Sequence, residues 1–180
     1  MGTVLLVSSI LLWIVLLFNL LITFRLVQMV APDVWAKNIP RLKSGQLAPA
    51  FEIKTMEGET ITLASFSGKP LMLTFISLYC SSCLLKMPDF RTLELQTRQA
   101  GMQLGVACIA DSGKVLAFVN EFGLTAPVWV VARENPIWKD YKVNSTPFYC
   151  LIDERSRVQA AGPLDFNLET LVKVWKVNGY

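Results

Sequence analysis

Leu71-Met72-Leu73-Thr74-Phe75-Ile76-Ser77, running straight into Leu78-Tyr79-Cys80-Ser81-Ser82-Cys83, is the stretch from which the fold can be read. The first part is almost entirely apolar, with Phe and Ile among its residues, as a strand buried on both faces must be. After the cysteines the period changes. Met87, Phe90 and Leu93 recur at helical spacing among Lys86, Asp89, Arg91, Glu94 and Arg98, and Gly101 is placed to end that helix in a left-handed cap. Cys80 therefore falls where a buried strand gives way to a helix.

Outward from this centre, strands and helices alternate. Phe51–Thr55 and Thr60–Leu63 read as short strands around a Glu57-Gly58 turn, and Ser67-Gly68-Lys69-Pro70 breaks the chain before the central strand. Met102–Ala110 is a second apolar strand, Lys114–Phe122 a short helix closed by Gly123, and Val128–Ala132 a third buried strand. Phe148–Ile152 and Arg157–Ala161 flank an Asp153-Glu154-Arg155-Ser156 turn, and Leu168–Val177 reads as a final amphipathic helix. This order predicts an α/β fold: a central mixed sheet, mainly parallel with an antiparallel hairpin at one edge, with helices on both faces.

Two cysteines three apart have three possible meanings. Half of a zinc site needs a second pair or histidines; the chain has no histidine, and Cys108 and Cys150 stand alone in apolar strands, so no metal site is expected. A chance pair of buried thiols is the bland alternative, since free cysteine is often a small hydrophobe. The third is a redox pair. At a strand-to-helix junction the unpaired N–H groups and the helix dipole stabilise an anion, so Cys80 can ionise below its ordinary pKa of about 8.5. Cys83, one turn on, can resolve the mixed disulfide that Cys80 forms. About 65 residues downstream, Asn144-Ser145-Thr146-Pro147-Phe148 leads from a loop into an apolar strand. An X-Pro there is ordinarily an edge or turn feature, yet it also has the position at which a cis-proline would face the cysteines.

The totals narrow the function further. With 180 residues there is room for one domain and an appendage. A net charge of +3 without any cationic run gives no footprint for nucleic acid. The absence of histidine removes Ser-His and Cys-His nucleophiles and c-type haem attachment. Val4–Phe24 carries no charge over 21 residues, enough to cross a hydrocarbon core of about 30 Å. The bland alternatives are a cleaved signal peptide or a buried core helix, and a signal peptide would want a basic start, a shorter apolar run and a small-residue cleavage site. The expected layout is an anchor at 1–27, a tether at 28–46 and a domain at 47–180. Arg25, Lys37, Arg41 and Lys43 follow the span, and the positive-inside rule would leave the domain in the cytoplasm. A tethered redox pair serves proteins folding outside, and the outer side is the expectation.

Gly68-Lys69-Pro70, the apolar strand, Tyr79-Cys80-Ser81-Ser82-Cys83, Pro88 five residues on and Thr146-Pro147 together resemble the thioredoxin superfamily. The lead-in Leu42-Lys43-Ser44-Gly45-Gln46-Leu47-Ala48-Pro49-Ala50-Phe51 is similar to that of its TlpA/ResA and MauD branch. The anchor's Ser-x-x-Leu-Leu-Trp run, ending at Trp13, resembles the methylamine-utilisation proteins of the MauD type. The resemblance covers essentially the whole chain. It implies a thioredoxin-like fold behind a single transmembrane helix, and a thiol–disulfide oxidoreductase that needs no cofactor. Cys80 would attack, Cys83 would resolve, and Pro147 would be a cis-proline. Tyr79 and the Thr146 backbone would bind the substrate, and Pro88 would kink the CxxC helix. The implied partners are a disulfide-containing client, a membrane electron-transfer partner and cytoplasmic membrane lipid. In the MauD case the client would be a methylamine-dehydrogenase-like subunit.

This chain also departs from the family pattern. Tyr79 replaces the usual Trp, Ser81-Ser82 replaces Gly-Pro or Glu-Pro, Thr74 stands for a buried aspartate and Lys86 for a glutamate. Ser81, Ser82, Thr74 and Lys86 are therefore candidate redox-tuning positions. Cys108 and Cys150 are expected on strands either side of the CxxC strand, buried and inert. Two rivals remain. A peroxiredoxin-like thiol peroxidase would want Pro and Thr where Leu73 and Ser77 stand, and a non-redox tethered chaperone would need no cysteine chemistry.

Overall fold

The computed structural model describes residues 2–37, 42–55 and 58–164. Two units are distinct, one spanning Met1–Pro40 and the other Arg41–Tyr180.

The first unit contains a helix, α1 (Gly2–Lys37), whose segment Leu6–Leu26 is 21 residues of mean hydropathy 2.5. That segment is long and apolar enough to cross a membrane, and its side chains are exposed on every side rather than along one polar stripe. Two of the polar residues within it bond to the helix's own carbonyls. Asn19 Nδ2 donates to the Val15 carbonyl at 3.2 Å, and Thr23 Oγ1 to that of Asn19 at 2.8 Å, so both close their hydrogen bonds inside the helix. The helix continues past the expected end of the anchor at residue 27, through the first part of the expected tether. Pro32 removes one donor from it, but good helix formers flank that position, among them Leu26, Gln28, Met29, Ala31 and Ala36.

The second unit is built on a five-stranded sheet in the order β5-β4-β3-β6-β7. Its strands are β3 (Leu71–Ser77), β4 (Gln103–Ile109), β5 (Val128–Val130), β6 (Phe148–Ile152) and β7 (Val158–Pro163). β4 runs parallel to β3 and β5 parallel to β4, whereas β6 is antiparallel to both β3 and β7. A separate hairpin pairs β1 (Glu52–Lys54) with β2 (Thr60–Thr62). The mixed sheet with its antiparallel edge is as the sequence predicts. Glu57 of the hairpin turn and the helix expected at 168–177 lie outside the described residues.

β3 is central because all seven of its residues are buried. Its alternation feeds two cores. Leu71, Leu73 and Phe75 join Phe51, Trp129, Trp138 and Tyr141 on one face. Met72 and Ile76 join Cys83, Phe90, Leu93, Val106 and Phe118 on the other. Phe75 meets the rings of Trp138, Tyr141 and Phe148 at 5.4, 5.5 and 6.2 Å. Its full burial contributes about 2–3 kcal/mol. The Tyr141 hydroxyl donates to the Pro49 carbonyl at 2.8 Å, which ties the lead-in to the domain. Gly45 and Gln46, at the end of the expected tether, are hydrogen-bonded to Val158 of β7.

After the sheet's central strand the CxxC helix is broken rather than continuous. α2 (Ser81–Lys86) passes through a 3₁₀ turn, Met87–Asp89, into α3 (Phe90–Gln99). Pro88, which has no N–H to donate, sits in that turn. α4 (Ser112–Phe122) ends at Gly123, whose φ of 57° is the left-handed cap that glycine accepts. Sequence reading missed α5 (Pro136–Asp140), a single turn whose N-cap Asn135 accepts from the Ile137 N–H at 3.0 Å. An Asn-Pro start was the available signal.

Gly105 on β4 supplies a test of this packing. A Cβ there would stand 2.5 and 2.8 Å from ring atoms of the buried Trp129. Gly105→Ala is expected to destabilise the domain by about 1–3 kcal/mol through overpacking, seen as a lower denaturant midpoint. An unchanged midpoint would mean that the indole moves aside freely.

Candidate active site

The strand-to-helix junction after β3 sets the pair. Cys80 is the N-cap residue of α2, with extended backbone (φ −100°, ψ 119°), and its carbonyl accepts from the Cys83 and Leu84 N–H groups at 3.0 Å each. Its own N–H donates to the Ser77 carbonyl at 3.1 Å, so the end of β3 fixes where the thiol stands. One turn on, the same geometry carries Cys83 into the core, where it has no exposed surface. Cys80 is half-buried, and both are free thiols.

The Thr146–Pro147 peptide bond is cis, and Cys80 Sγ lies 3.5 Å from the Thr146 carbonyl oxygen. The Cys80 pKa falls from 9.0 to about 7, chiefly through a hydrogen bond from the Thr146 side chain and then through the backbone amides of Cys83 and Ser82. The contact with the Thr146 carbonyl favours the protonated thiol, and burial also opposes ionisation, yet the donors outweigh both. Burial, by contrast, pushes the Cys83 thiol up. One environment thus divides the pair into a half-buried thiol that ionises more readily and a buried thiol that ionises less readily.

The remaining expected site residues fall into two groups. Tyr79 stands beside the pair, 53% exposed, and its hydroxyl donates to Asp111 Oδ2 at 2.6 Å. Asp111 is the N-cap residue of α4 but makes no side-chain cap, its carboxylate being engaged by Tyr79. Lys114 Nζ sits 4.1 Å from the centre of the Tyr79 ring, a cation–π contact from the same helix. The Asp111 carboxylate pushes the Tyr79 hydroxyl pKa up. Ser81 and Ser82 are exposed, and Ser82 acts on Cys80 through its backbone amide. Two tuning candidates do not reach the sulfurs. Thr74 is buried with its hydroxyl donated to the Gly105 carbonyl at 3.2 Å, because a hydroxyl inside a sheet takes the nearest free acceptor. Lys86 turns to solvent, where it meets Asp89 Oδ2 at 3.9 Å, because a lysine keeps its ammonium in water when it can.

Cys108 and Cys150 flank β3 on β4 and β6 as expected, and both are buried. They also occupy opposite faces of the sheet, Cys108 in the core of Cys83 and Cys150 in that of Phe75. Burial pushes each thiol up to about 12.

Beside Cys80 opens a groove of about 270 Å³, lined by Ser77, Tyr79, Ile109, Arg133, Trp138 and the Val143–Thr146 loop. Arg133, Trp138, Asp111 and Lys114 were not among the expected site residues. They arrive on loops and helix starts after β4 and β5, with no motif to mark them.

An accessible low-pKa thiol, a buried partner one turn away and a cis-proline carbonyl-side neighbour on a mixed sheet define a thioredoxin-like thiol–disulfide oxidoreductase. The chain belongs to the Redoxin family, whose sequence model matches residues 43–174. It is 30% identical over 144 residues to the thioredoxin-like protein YneN of Bacillus subtilis, covering 78% of this chain and 81% of that one. Over 120 residues it is 30% identical to the thiol-disulfide oxidoreductase ResA of Bacillus thuringiensis, covering 66% and 68%. The fold is shared with a thiol:disulfide interchange protein from Bacteroides sp., at a TM-score of 0.63 and 19% identity over 77% of this chain and 92% of that one. The enzyme is of the ResA type.

Proposed function

We propose that this enzyme is a membrane-tethered reductant of disulfides in exported client proteins, with its catalytic domain on the outer side of the cytoplasmic membrane. The observation that carries the redox chemistry is the half-buried Cys80 at the start of α2 with the buried Cys83 one turn on, and the reducing direction is supported by the moderate depression of the Cys80 thiol, to about 7. Thioredoxin, a reductant, has a nucleophile near pKa 7, whereas the strong oxidant DsbA holds its thiolate near 3.5. A less stabilised thiolate gives up its electrons more readily.

In the forward reaction the Cys80 thiolate attacks one sulfur of the client disulfide, forming a Cys80–client bond and releasing the other client sulfur as a thiolate. Cys83 then loses its proton and attacks Cys80 Sγ. The Cys80–Cys83 disulfide forms, the second client thiolate leaves, and both client sulfurs take up protons. Two electrons pass from the pair to the client, and a membrane electron donor must restore the dithiol.

Tethering is supported by the 21-residue apolar segment Leu6–Leu26, with its exposed side chains. The outer location is supported by the chemistry alone, because disulfides persist in clients outside the cytoplasm. The Ser8–Trp13 run supports a MauD-like dedication to one client, such as a methylamine-dehydrogenase-like subunit.

The full chain in detergent, equilibrated with dithiothreitol or glutathione buffers, should titrate with a potential near about −270 mV. A value near about −120 mV would make it an oxidant and overturn the proposed direction. A membrane-impermeant thiol reagent applied to intact cells should label Cys80, and protection of Cys80 until lysis would refute the outer location.

A further inference from the structure

Among the described residues that line the groove beside Cys80, Arg133 carries a fixed positive charge and no carboxylate stands; the other titratable groups among them are Tyr79 and Cys80 itself. Asp111, the nearest acidic group from α4, is turned to the Tyr79 hydroxyl, and Lys114 of the same helix lies over the Tyr79 ring. Arg133 itself has no ion pair or hydrogen bond among the described residues. Elsewhere in the domain Arg91, Arg98 and Arg157 each bond a carbonyl, hydroxyl or carboxylate.

The turn that presents Arg133 is held in place. The preceding Ala132 carbonyl accepts two bonds, from Trp138 Nε1 at 2.9 Å and from the Asn135 N–H at 3.0 Å. Asn135 in turn caps α5 through the Ile137 N–H at 3.0 Å. Val131, on the strand side of the turn, donates to the Cys108 carbonyl at 2.8 Å. The backbone under Arg133 is therefore anchored to both the sheet and α5, and the exposed side chain lines the groove with no partner among the described residues.

From this we infer that Arg133 is a specificity residue that selects client segments carrying a carboxylate within a few residues of the disulfide cysteine. The inference deepens the proposed reduction of client disulfides and rests on it. An acidic side chain entering a groove that already holds the Cys80 thiolate would be repelled, and a guanidinium lining the same groove offsets that penalty. A guanidinium can also grip a carboxylate with two parallel hydrogen bonds, which fixes the segment as well as attracting it. Basic client segments meet like charge and are disfavoured.

The test is the rate at which the reduced full chain, in detergent, reduces a short disulfide peptide made with Asp, Asn or Lys at the positions flanking the cysteine. At low ionic strength the Asp peptide should react about fivefold faster than the Lys peptide, the scale of one solvent-accessible ion pair. The ratio should shrink toward one in about 0.5 M salt as screening grows. Arg133→Gln should collapse the ratio, Arg133→Lys should keep much of it, and Arg133→Glu should invert it. A structural role for Arg133 would slow all three peptides alike and leave the ratio standing, and that result would overturn the inference. So would an Asp-to-Lys ratio near one in the unmodified protein. Failure to reduce any of the peptides, the Asn version included, would instead sink the proposed reductase activity on which the inference rests.

Discussion

Cys80→Ser is expected to lower disulfide exchange by at least about a thousandfold, because a serine hydroxyl is not ionised at neutral pH and cannot displace a sulfur. The neighbouring thiol cannot take over. Cys83 has no exposed surface and its thiol is pushed up by burial, so a client disulfide cannot reach it directly. Cys83→Ser should behave differently. It leaves the first attack intact and removes the second, and the protein should accumulate as a Cys80–client mixed disulfide that dithiothreitol releases. Intact mass and non-reducing gels read both outcomes. Exchange that survives Cys80→Ser, or Cys83→Ser turnover at the unmodified rate, would mean that the roles are assigned wrongly. The trapped Cys83→Ser species, isolated from cells, would also carry the client with it.

Alkylation of the reduced, folded chain should modify Cys80 alone near neutral pH, at a rate rising with pH through about 7. The sign follows from the thiolate being the reactive form. At pH 7 about half of Cys80 is ionised, whereas a thiol at about 12, as at Cys108 and Cys150, is ionised to about one part in 10⁵. The higher intrinsic nucleophilicity of a more basic thiolate recovers only about two of those five decades. A selectivity of several hundredfold remains before burial is counted. The same depression couples to stability. The Cys80 thiolate stabilises the folded, reduced protein fully above the unfolded thiol's pKa, near 9, and that contribution disappears as pH falls through about 7. The unfolding midpoint of the reduced protein, measured against Cys80→Ser, should therefore decline between about pH 9 and pH 6. A flat difference, or alkylation with a midpoint near 9, would show that the Thr146 side chain and the Ser82 and Cys83 amides do not hold the anion.

The site was legible in the sequence wherever local pattern and chemistry coincide. The apolar run of β3, the change of period after it and the spacing of Cys80 and Cys83 are all short-range signals. The order of strands and helices then leaves few topologies, and the mixed sheet follows. Thr146-Pro147 was legible by position but not by contact. Its approach to Cys80 Sγ at 3.5 Å joins residues 66 apart in the chain. The tuning candidates were legible only as identities. Thr74 and Lys86 stand at suggestive places, yet the hydroxyl bonds Gly105 and the ammonium turns to Asp89.

By itself, then, the sequence determined that a long apolar helix precedes an α/β domain with a redox pair at the end of its central strand, because hydrophobic period and cysteine spacing are properties of neighbouring residues. Only the tertiary structure decided which groups the pair would meet. The Tyr79–Asp111 bond spans 32 positions, and the placing of Arg133 depends on how β5 docks against β4 and how Trp138 packs under the turn. Both are settled by side-chain packing between strands and loops far apart in the chain. Such contacts carry no local periodicity or motif, so nothing in the residues around Asp111 or Arg133 announces them.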